Sequence, residues 1–150
     1  MIFLSSMARS GSTLLTSLLN QRPDVYASPT SNLSDTMGAA VHAWEQNPST
    51  QASNGKEEDL IRILQGIQNG RYDTDKLVFD KSREWAIPNI IKTLSKWQDV
   101  KIVATVRPMA ECLASFVKLS KPDNIRDFCK KSQLAQHLFT RYQMLKSGYE

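Results

Sequence analysis

The sequence predicts an α/β fold, a three-layer sandwich in which helices cover both faces of a mostly parallel β-sheet. Short apolar runs alternate with helix-like segments along the 150 residues of the chain. The clearest run, VKIVATVR, is almost continuously apolar, which is typical of a strand covered on both faces of a parallel sheet. The length suits one hydrophobic core, so we expect a single domain over residues 1–150.

The first half of the chain begins with a buried strand that ends in small residues and leads into a helix with leucines at helical spacing. A brief second strand and a turn-rich stretch follow, after which Ser34 or Asp35 is expected to cap a second helix. Residues 47–56 are rich in polar and small residues, and we expect them to form a mobile surface loop rather than a domain boundary. The four elements are IFLSS, GSTLLTSLLNQ, DVYA and DTMGAAVHAWEQ.

The second half of the chain opens with a helix whose first turn holds three acidic residues, where they interact favourably with the helix dipole. A third strand ends in a charged loop, and a helix with an early proline precedes the fourth strand. A proline at the first helical position begins the next helix, and a long final helix follows. In order, these elements are EEDLIRILQGIQNG, DKLVFDKS, WAIPNIIKTLSKW, VKIVATVR, PMAECLASFVKL and NIRDFCKKSQLAQHLFTRYQMLKSG.

The composition argues against several functional classes. The formal net charge of +4 suits an anionic small ligand, but no basic run with interleaved aromatics indicates nucleic-acid binding. No apolar run approaches the length of a membrane span. Cys112 and Cys129 lack the spacing of metal ligands, so we interpret them as reduced thiols. We therefore expect a cytoplasmic protein with no bound metal and no nucleic-acid or membrane partner.

The turn SSMARSGST, between the first strand and the first helix, has the layout of an anion site. Ligands of parallel α/β sheets bind beyond the carboxyl ends of the strands, where this turn lies. Its glycine permits a positive φ, its unpaired amides point at an anion, and its arginine adds a planar fork of donors. The alternatives are a plain strand-to-helix connection and a degenerate triphosphate loop, the latter weakened by the missing Lys-Ser/Thr pair. The predicted anion-binding residues are Arg9, Ser10, Gly11, Ser12, Thr13 and Leu14.

Two other strand ends bring polar residues to the same edge of the predicted sheet. Arg107 ends the fourth strand and Ser115 follows eight residues later on a helix, from where we expect both side chains to be able to reach one phosphate. Such a pair is frequent by chance and gains meaning only from its place after a buried strand. A charged cluster follows the third strand. For Arg83 and Glu84, its last two members, an exposed charged loop is the alternative interpretation. The cluster consists of Asp80, Lys81, Arg83 and Glu84.

The three motifs together resemble the sulfotransferases that use 3′-phosphoadenosine 5′-phosphosulfate (PAPS). MARSGSTLL is similar to the 5′-phosphosulfate loop of that family, VRPMAECLASF to its 3′-phosphate motif, and FDKS to the segment after the third strand in carbohydrate-type members. The arginine in the loop is closer to the tyrosylprotein and carbohydrate branch than to the cytosolic phenol branch. The resemblance implies a P-loop NTPase-like fold. Because family members continue into a further strand, we expect a short or truncated member.

The resemblance also implies a reaction, in which a sulfuryl group moves from PAPS to a hydroxyl or amine by in-line displacement without a metal. The acceptor is expected to be a small molecule or a carbohydrate. Arg9 and its loop would hold the 5′-phosphate, and Lys81 would contact the sulfuryl group or the leaving oxygen. Arg107 and Ser115 would hold the 3′-phosphate.

The general base is assigned on position alone. Asp80 and Glu84 are the first candidates, with His42 and Asp35 behind them. Two other functions stay open at this stage. One is a P-loop nucleoside-phosphate kinase-like enzyme, and the other is a non-catalytic fragment that binds adenosine 3′,5′-bisphosphate.

Overall fold

A computed structural model describes residues 1–53 and 55–149 of the chain. Within these residues, four parallel strands form one sheet with the order β2-β3-β1-β4. The predicted α/β fold class with a parallel sheet is thereby confirmed. The strands are β1 (Ile2–Ser6), β2 (Val25–Ala27), β3 (Leu77–Lys81) and β4 (Ile102–Thr105).

Helices fill the connections between the strands and follow the last one, as the alternating pattern predicts. In the described part of the chain there are eight: α1 (Ser12–Leu19), α2 (Leu33–Gln46), α3 (Pro48–Ala52), α4 (Glu57–Arg71), α5 (Pro88–Leu94), α6 (Met109–Ser120), α7 (Ile125–Lys131) and α8 (Gln133–Tyr149). Each crossover between neighbouring strands is long enough to keep the strands parallel.

The register of the sheet brings the carboxyl ends of three strands to one edge. Leu4 of β1 lies beside Lys81 of β3, and Ser6 of β1 lies beside Thr105 of β4. The loops that leave these strands therefore start within a few ångströms of one another. This edge is where a parallel α/β sheet binds its ligands.

Side chains alternate between the two faces of the sheet and define two apolar layers. Phe3 packs with residues of α2, α4 and α5 on one face, including Leu33 and Leu64. Phe79 packs with β2 and with Leu19 of α1 on the other face. Helices thus lie on both faces, as a three-layer arrangement requires.

A third apolar cluster joins α8 to the carboxyl edge of the sheet. Leu138 and Leu145 of α8 pack against Met7, which directly follows β1, and against Ala86. Gly148 also lies directly against the carbonyl oxygen of Ala86, so a side chain has no room there. The last helix is therefore held beside the edge that carries the predicted ligand residues.

Three local predictions were wrong, each for a physical reason. Residues 48–52, expected to belong to a loop, form α3, because Asn47 caps its first turn through Ser49 N–H and a proline starts it. Helix α2 begins at Leu33, so the predicted caps Ser34 and Asp35 lie inside its first turn.

The third difference concerns β4, whose apolar run predicted a strand covered on both faces. In the described chain β4 pairs with β1 alone and lies at the end of the sheet order. Val103 at its centre is consequently 38% exposed. An edge strand is covered less completely than an interior one, whatever its sequence.

Candidate functional site

The loop between β1 and α1 has an unusual backbone. Arg9 has a φ of 68° and Gly11 a φ of 96°, both in the left-handed region. A positive φ is uncommon for a residue other than glycine and is frequent at ligand-binding loops. Gly11 is the N-cap of α1, and no side chain caps this helix. The first-turn N–H groups therefore remain available to an anion.

Ser10 fastens this loop instead of offering its amide to a ligand. Its N–H donates to the carbonyl oxygen of Met7 at 3.3 Å, and its Oγ donates to the same oxygen at 2.7 Å. Its Oγ also lies 2.7 Å from Thr105 Oγ1 at the end of β4. The prediction of free amides thus fails at Ser10, because a tight turn uses that N–H to close itself.

Lys81 links β3 to the loop from the other side. Its Nζ donates to Thr13 Oγ1 at 3.0 Å and to the carbonyl oxygen of Pro29 at 2.6 Å. Burial lowers the pKa of Lys81, and the positive charge of Arg83 lowers it further. Ser12, the next predicted ligand residue, is buried and accepts a hydrogen bond from Ser6 Oγ at 3.0 Å.

Arg9 meets two residues that are about a hundred positions away in the chain. Its Nε donates to Ser115 Oγ at 3.0 Å, and its carbonyl oxygen accepts from Arg107 Nη1 at 3.0 Å. Arg107 is held on its other side by Glu111, whose Oε2 lies 2.9 Å from Arg107 Nε. The first and second phosphate motifs of the sequence are thereby brought into direct contact.

A polar cavity of about 490 Å³ opens in front of the loop between β1 and α1. Its walls are that loop, the segments that follow β2 and β3, the first turn of α2, and the helices α6 and α8. We refer to it as the anion cavity, because its cationic side chains outnumber its carboxylates. The charged residues that line it are Arg9, Asp35, Lys81, Arg83, Glu84 and Arg141.

Two lining residues on α8, His137 and Arg141, were not predicted as site residues. They lie four positions apart and so share one face of the helix. Arg141 pairs with Glu84, with 2.5 Å between Nη2 and Oε1, and both side chains are mostly buried. No local motif surrounds either residue. Their i, i+4 spacing, which puts both side chains on one face of the helix, is the sequence feature that could have indicated a shared site.

Asp80, a predicted catalytic residue, does not line the anion cavity. Its carboxylate is fully buried, with Oδ1 accepting from Trp85 Nε1 at 2.7 Å and Oδ2 from Tyr72 Oη at 2.5 Å. Because side chains alternate along β3, Asp80 points into the core while Lys81 points to the loop. Burial, together with the bond to Asp80, raises the pKa of Tyr72. The geometry supports a structural role for Asp80 and not a catalytic one.

Of the other residues predicted for the site, some line the anion cavity and others do not. Glu84 and Asp35 both line the anion cavity. His42 is exposed on α2 and does not line it, and the Leu14 side chain is 66% exposed on α1. At Leu14, only the backbone N–H is placed to meet an anion.

In residues 1–53 and 55–149, no group of three or more His, Cys, Asp or Glu side chains is arranged to hold a metal ion. No helix in the same ranges is both long enough and apolar enough to cross a membrane.

Comparison with models of known protein families identifies the family to which the chain belongs. The family model described as "Sulfotransferase family" matches residues 2–149, which include the loop, both arginines that meet there and α8. The chain belongs to the sulfotransferase family. It is therefore an enzyme of the transferase class, with the parallel α/β fold described above. No curated protein and no solved structure matched the chain.

Proposed function

We propose that this sulfotransferase takes its sulfuryl group from PAPS and transfers it to a hydroxyl or amine of a small acceptor. The observation that carries the proposal is the contact of Arg9 with both Ser115 and Arg107. It joins an anion-binding loop to a second arginine and a second hydroxyl at the same edge of the sheet. A donor with two separate phosphate positions, as in PAPS, matches two adjacent groups of cationic and hydroxyl donors.

The residues present fit such a donor. The uncapped first turn of α1 offers N–H groups at Ser12, Thr13 and Leu14 for the 5′-phosphate, and Arg9 adds a charge beside them. Arg107 and its neighbour Ser115 would hold the 3′-phosphate, which distinguishes PAPS from other adenine nucleotides. Bidentate recognition of a phosphate suits the planar guanidinium group.

When bound, PAPS would supply the sulfuryl group. The acceptor oxygen or nitrogen would form a bond to sulfur as the bond from sulfur to the 5′-phosphate oxygen breaks, that oxygen would keep the electron pair, and the acceptor's proton would pass to a base. Lys81 reaches the loop at Thr13, so its ammonium group stabilises negative charge at that position. Burial lowers the pKa of Lys81 in the free protein, because it disfavours the charged form. An anion bound in the cavity would favour the charged form and so raise that pKa again.

We propose Asp35 as the group that accepts the acceptor's proton. It lines the anion cavity, and among residues 1–53 and 55–149 no donor or cation lies within bonding distance of its carboxylate. Glu84 is less suited, since its Oε1 is engaged by Arg141. His137 lines the same cavity and is the alternative on residue type.

The arginine form of the loop supports a relationship with the carbohydrate and tyrosylprotein branch. That likeness concerns the donor side of the site, since Arg9 and its neighbours face the phosphates.

Calorimetry tests the donor assignment directly. We expect adenosine 3′,5′-bisphosphate to bind more tightly than AMP or ATP, and its affinity to be unaffected by magnesium. Tight binding of ATP that requires magnesium would instead indicate a kinase-like enzyme. Transfer of radiolabelled sulfate from PAPS to a panel of alcohols, amines and sugars then tests catalysis. Binding without transfer to any acceptor would reject the enzymatic part of the proposal.

A further inference from the structure

A second cavity, of about 390 Å³, adjoins the anion cavity and lies between α2, α4 and α5. We refer to it as the apolar cavity. Asp35 and Glu84 line both cavities, so the two spaces meet at these carboxylates. The other walls are largely hydrocarbon, and the large apolar residues are Met37, Val41, Leu64, Trp85, Ile90 and Leu94.

We propose that the apolar cavity is the acceptor subsite, and that it takes the hydrocarbon body of an alcohol whose hydroxyl reaches the anion cavity between Asp35 and Glu84. The proposal rests on the sulfotransferase function argued above and names the class of acceptor. The hydroxyl end then meets the carboxylate that we assign as base. The rest of the acceptor lies away from the cations that hold the donor.

The charges around the apolar cavity oppose an anionic occupant. Among residues 1–53 and 55–149, no lysine, arginine or histidine lines this space, and the ionisable groups that do are Asp35 and Glu84. A phosphate or carboxylate placed there would lose its hydration without gaining a cationic partner. The cations of the anion cavity thus favour the anionic donor, whereas the carboxylates and hydrocarbon of the apolar cavity favour an uncharged acceptor.

In the described part of the chain, both hydroxyl groups that line the apolar cavity are already engaged within the protein, which leaves the side chains of Asn89 and Asp35 as the lining groups that offer a sugar a polar partner. Ser34 Oγ already bonds to Ser82 Oγ at 2.5 Å, and Thr93 Oγ1 donates to the carbonyl oxygen of Asn89 at 2.8 Å. A buried sugar needs a partner for each of its hydroxyls, and an unpaired one carries a desolvation penalty. A hydrocarbon chain needs none, and the cavity volume lies within the range of about 300–1,000 Å³ found for ligand pockets.

Gly38 gives a way to fill this cavity without disturbing the core. It lines the cavity from α2, and a Cβ added to it meets no atom within 4 Å. Its φ is not in the left-handed region, so a side chain is tolerated and even favours the helix. Gly66 on α4 has equally open surroundings but does not line the cavity. Gly38→Leu and Gly66→Leu therefore form a matched pair.

The test measures the affinity of straight-chain primary alcohols, from butanol to octanol, by calorimetry on the intact protein. In the wild type and in Gly66→Leu, we expect the affinity to rise roughly fourfold with each added methylene, the increment for burying one CH₂ group. In Gly38→Leu the rise should stop at a shorter chain, since leucine occupies the space. Glucose should not bind to any of the three proteins.

Two results would overturn the proposal. One is an affinity that does not depend on chain length in the wild type, and the other is the same chain-length dependence in Gly38→Leu as in the wild type. Because no donor is present, the measurement does not depend on PAPS. Failure of adenosine 3′,5′-bisphosphate to bind, with alcohol binding intact, would reject the donor assignment alone.

A transfer assay then connects the subsite to the reaction. With PAPS as donor, Gly38→Leu should raise the KM for octanol at least tenfold over its KM in Gly66→Leu, while the KM for PAPS stays the same in both. An equal KM for octanol in the two variants would contradict an acceptor role for this cavity.

Discussion

The anion cavity and the apolar cavity meet at Asp35 and Glu84 but are built in different ways. The anion cavity is walled mainly by segments that leave the carboxyl ends of strands, where backbone N–H groups and charged side chains gather. The apolar cavity is walled by the faces of helices that also form the core. Strand ends supply polar groups because their backbone has left the sheet, whereas packed helix faces supply mainly hydrocarbon.

This difference separates the two tasks of a group-transfer enzyme. Donor binding, as proposed, depends on a few hydrogen bonds that cross long stretches of sequence, such as Arg9 to Ser115. Acceptor binding, as proposed, depends on shape and on the exclusion of charge. Substitutions in the two regions should therefore change different measured quantities, which gives several ways to test the comparison.

The largest effect is expected for Arg9→Ala. The change removes the charge beside the loop and its bond to Ser115, and we expect kcat/KM for sulfate transfer to fall by about 10²–10³-fold, as for loss of one preorganised donor. Arg22→Ala is the control, since Arg22 is exposed and paired only with Asp24. A loss of less than fivefold in Arg9→Ala would remove Arg9 from the mechanism.

The next effect is expected for Arg107→Ala, measured by calorimetry. Loss of a charged hydrogen bond to the 3′-phosphate, worth roughly 1.5–3 kcal/mol, should weaken adenosine 3′,5′-bisphosphate but leave AMP almost unchanged. Glu111→Ala keeps the arginine and removes its ion-pair partner, so bisphosphate affinity should stay the same or rise. Equal weakening of both nucleotides in Arg107→Ala would show that Arg107 acts through the loop alone.

A stability effect of similar or smaller size is expected for Tyr72→Phe. The change leaves Oδ2 of the buried Asp80 without its donor, and an unpaired buried polar group costs about 1–3 kcal/mol in the free energy of unfolding. Urea denaturation measures it, with the exposed Tyr26→Phe as control. The KM for PAPS should be unchanged, because Asp80 does not line the anion cavity. A large rise in that KM with unchanged stability would return Asp80 to the site.

The smallest effect concerns pH and Lys81, whose pKa lies below the ordinary value of 10.5 in the free protein. A bound anion favours the charged form, so bisphosphate affinity should fall as the pH rises through that lowered pKa. In Lys81→Arg the guanidinium stays charged, and the fall should be absent. Identical pH profiles for the two proteins would exclude Lys81 from the phosphate site.

The same shift has a consequence for stability in the absence of ligand. The unfolded chain keeps the Lys81 proton up to about pH 10.5, whereas the folded chain releases it at lower pH. Between these two values the unfolded state binds more protons, so the free energy of unfolding should rise slightly with pH. Lys81→Arg should lack this contribution as well.

Several features of the fold and site could be predicted from the sequence because their signals are local. The apolar runs and helical spacings identified the four strands, and Gly11 identified the turn with a positive φ between β1 and α1. A positive φ, a strand end and a helix start are properties of neighbouring residues. For the same reason Lys81, directly after an apolar strand, could be placed at the ligand edge.

Other features depended on which residues the folded chain brings together. Asp80 and Lys81 are adjacent in sequence, yet they lie on opposite faces of the sheet, and only the packing of Tyr72 and Trp85 decided that Asp80 belongs to the core. A strand has two faces, and its sequence alone does not say which one meets the loop.

The sequence by itself determined the parallel α/β fold, the strained turn between β1 and α1 and, through the ordered motifs, the family. The tertiary structure decided the pairing of Arg141 with Glu84, the entry of α8 into the site and the meeting of two cavities at Asp35. The physical reason is distance along the chain. Local backbone preferences act over a few residues, whereas a cavity is the space left when helices distant in sequence pack together.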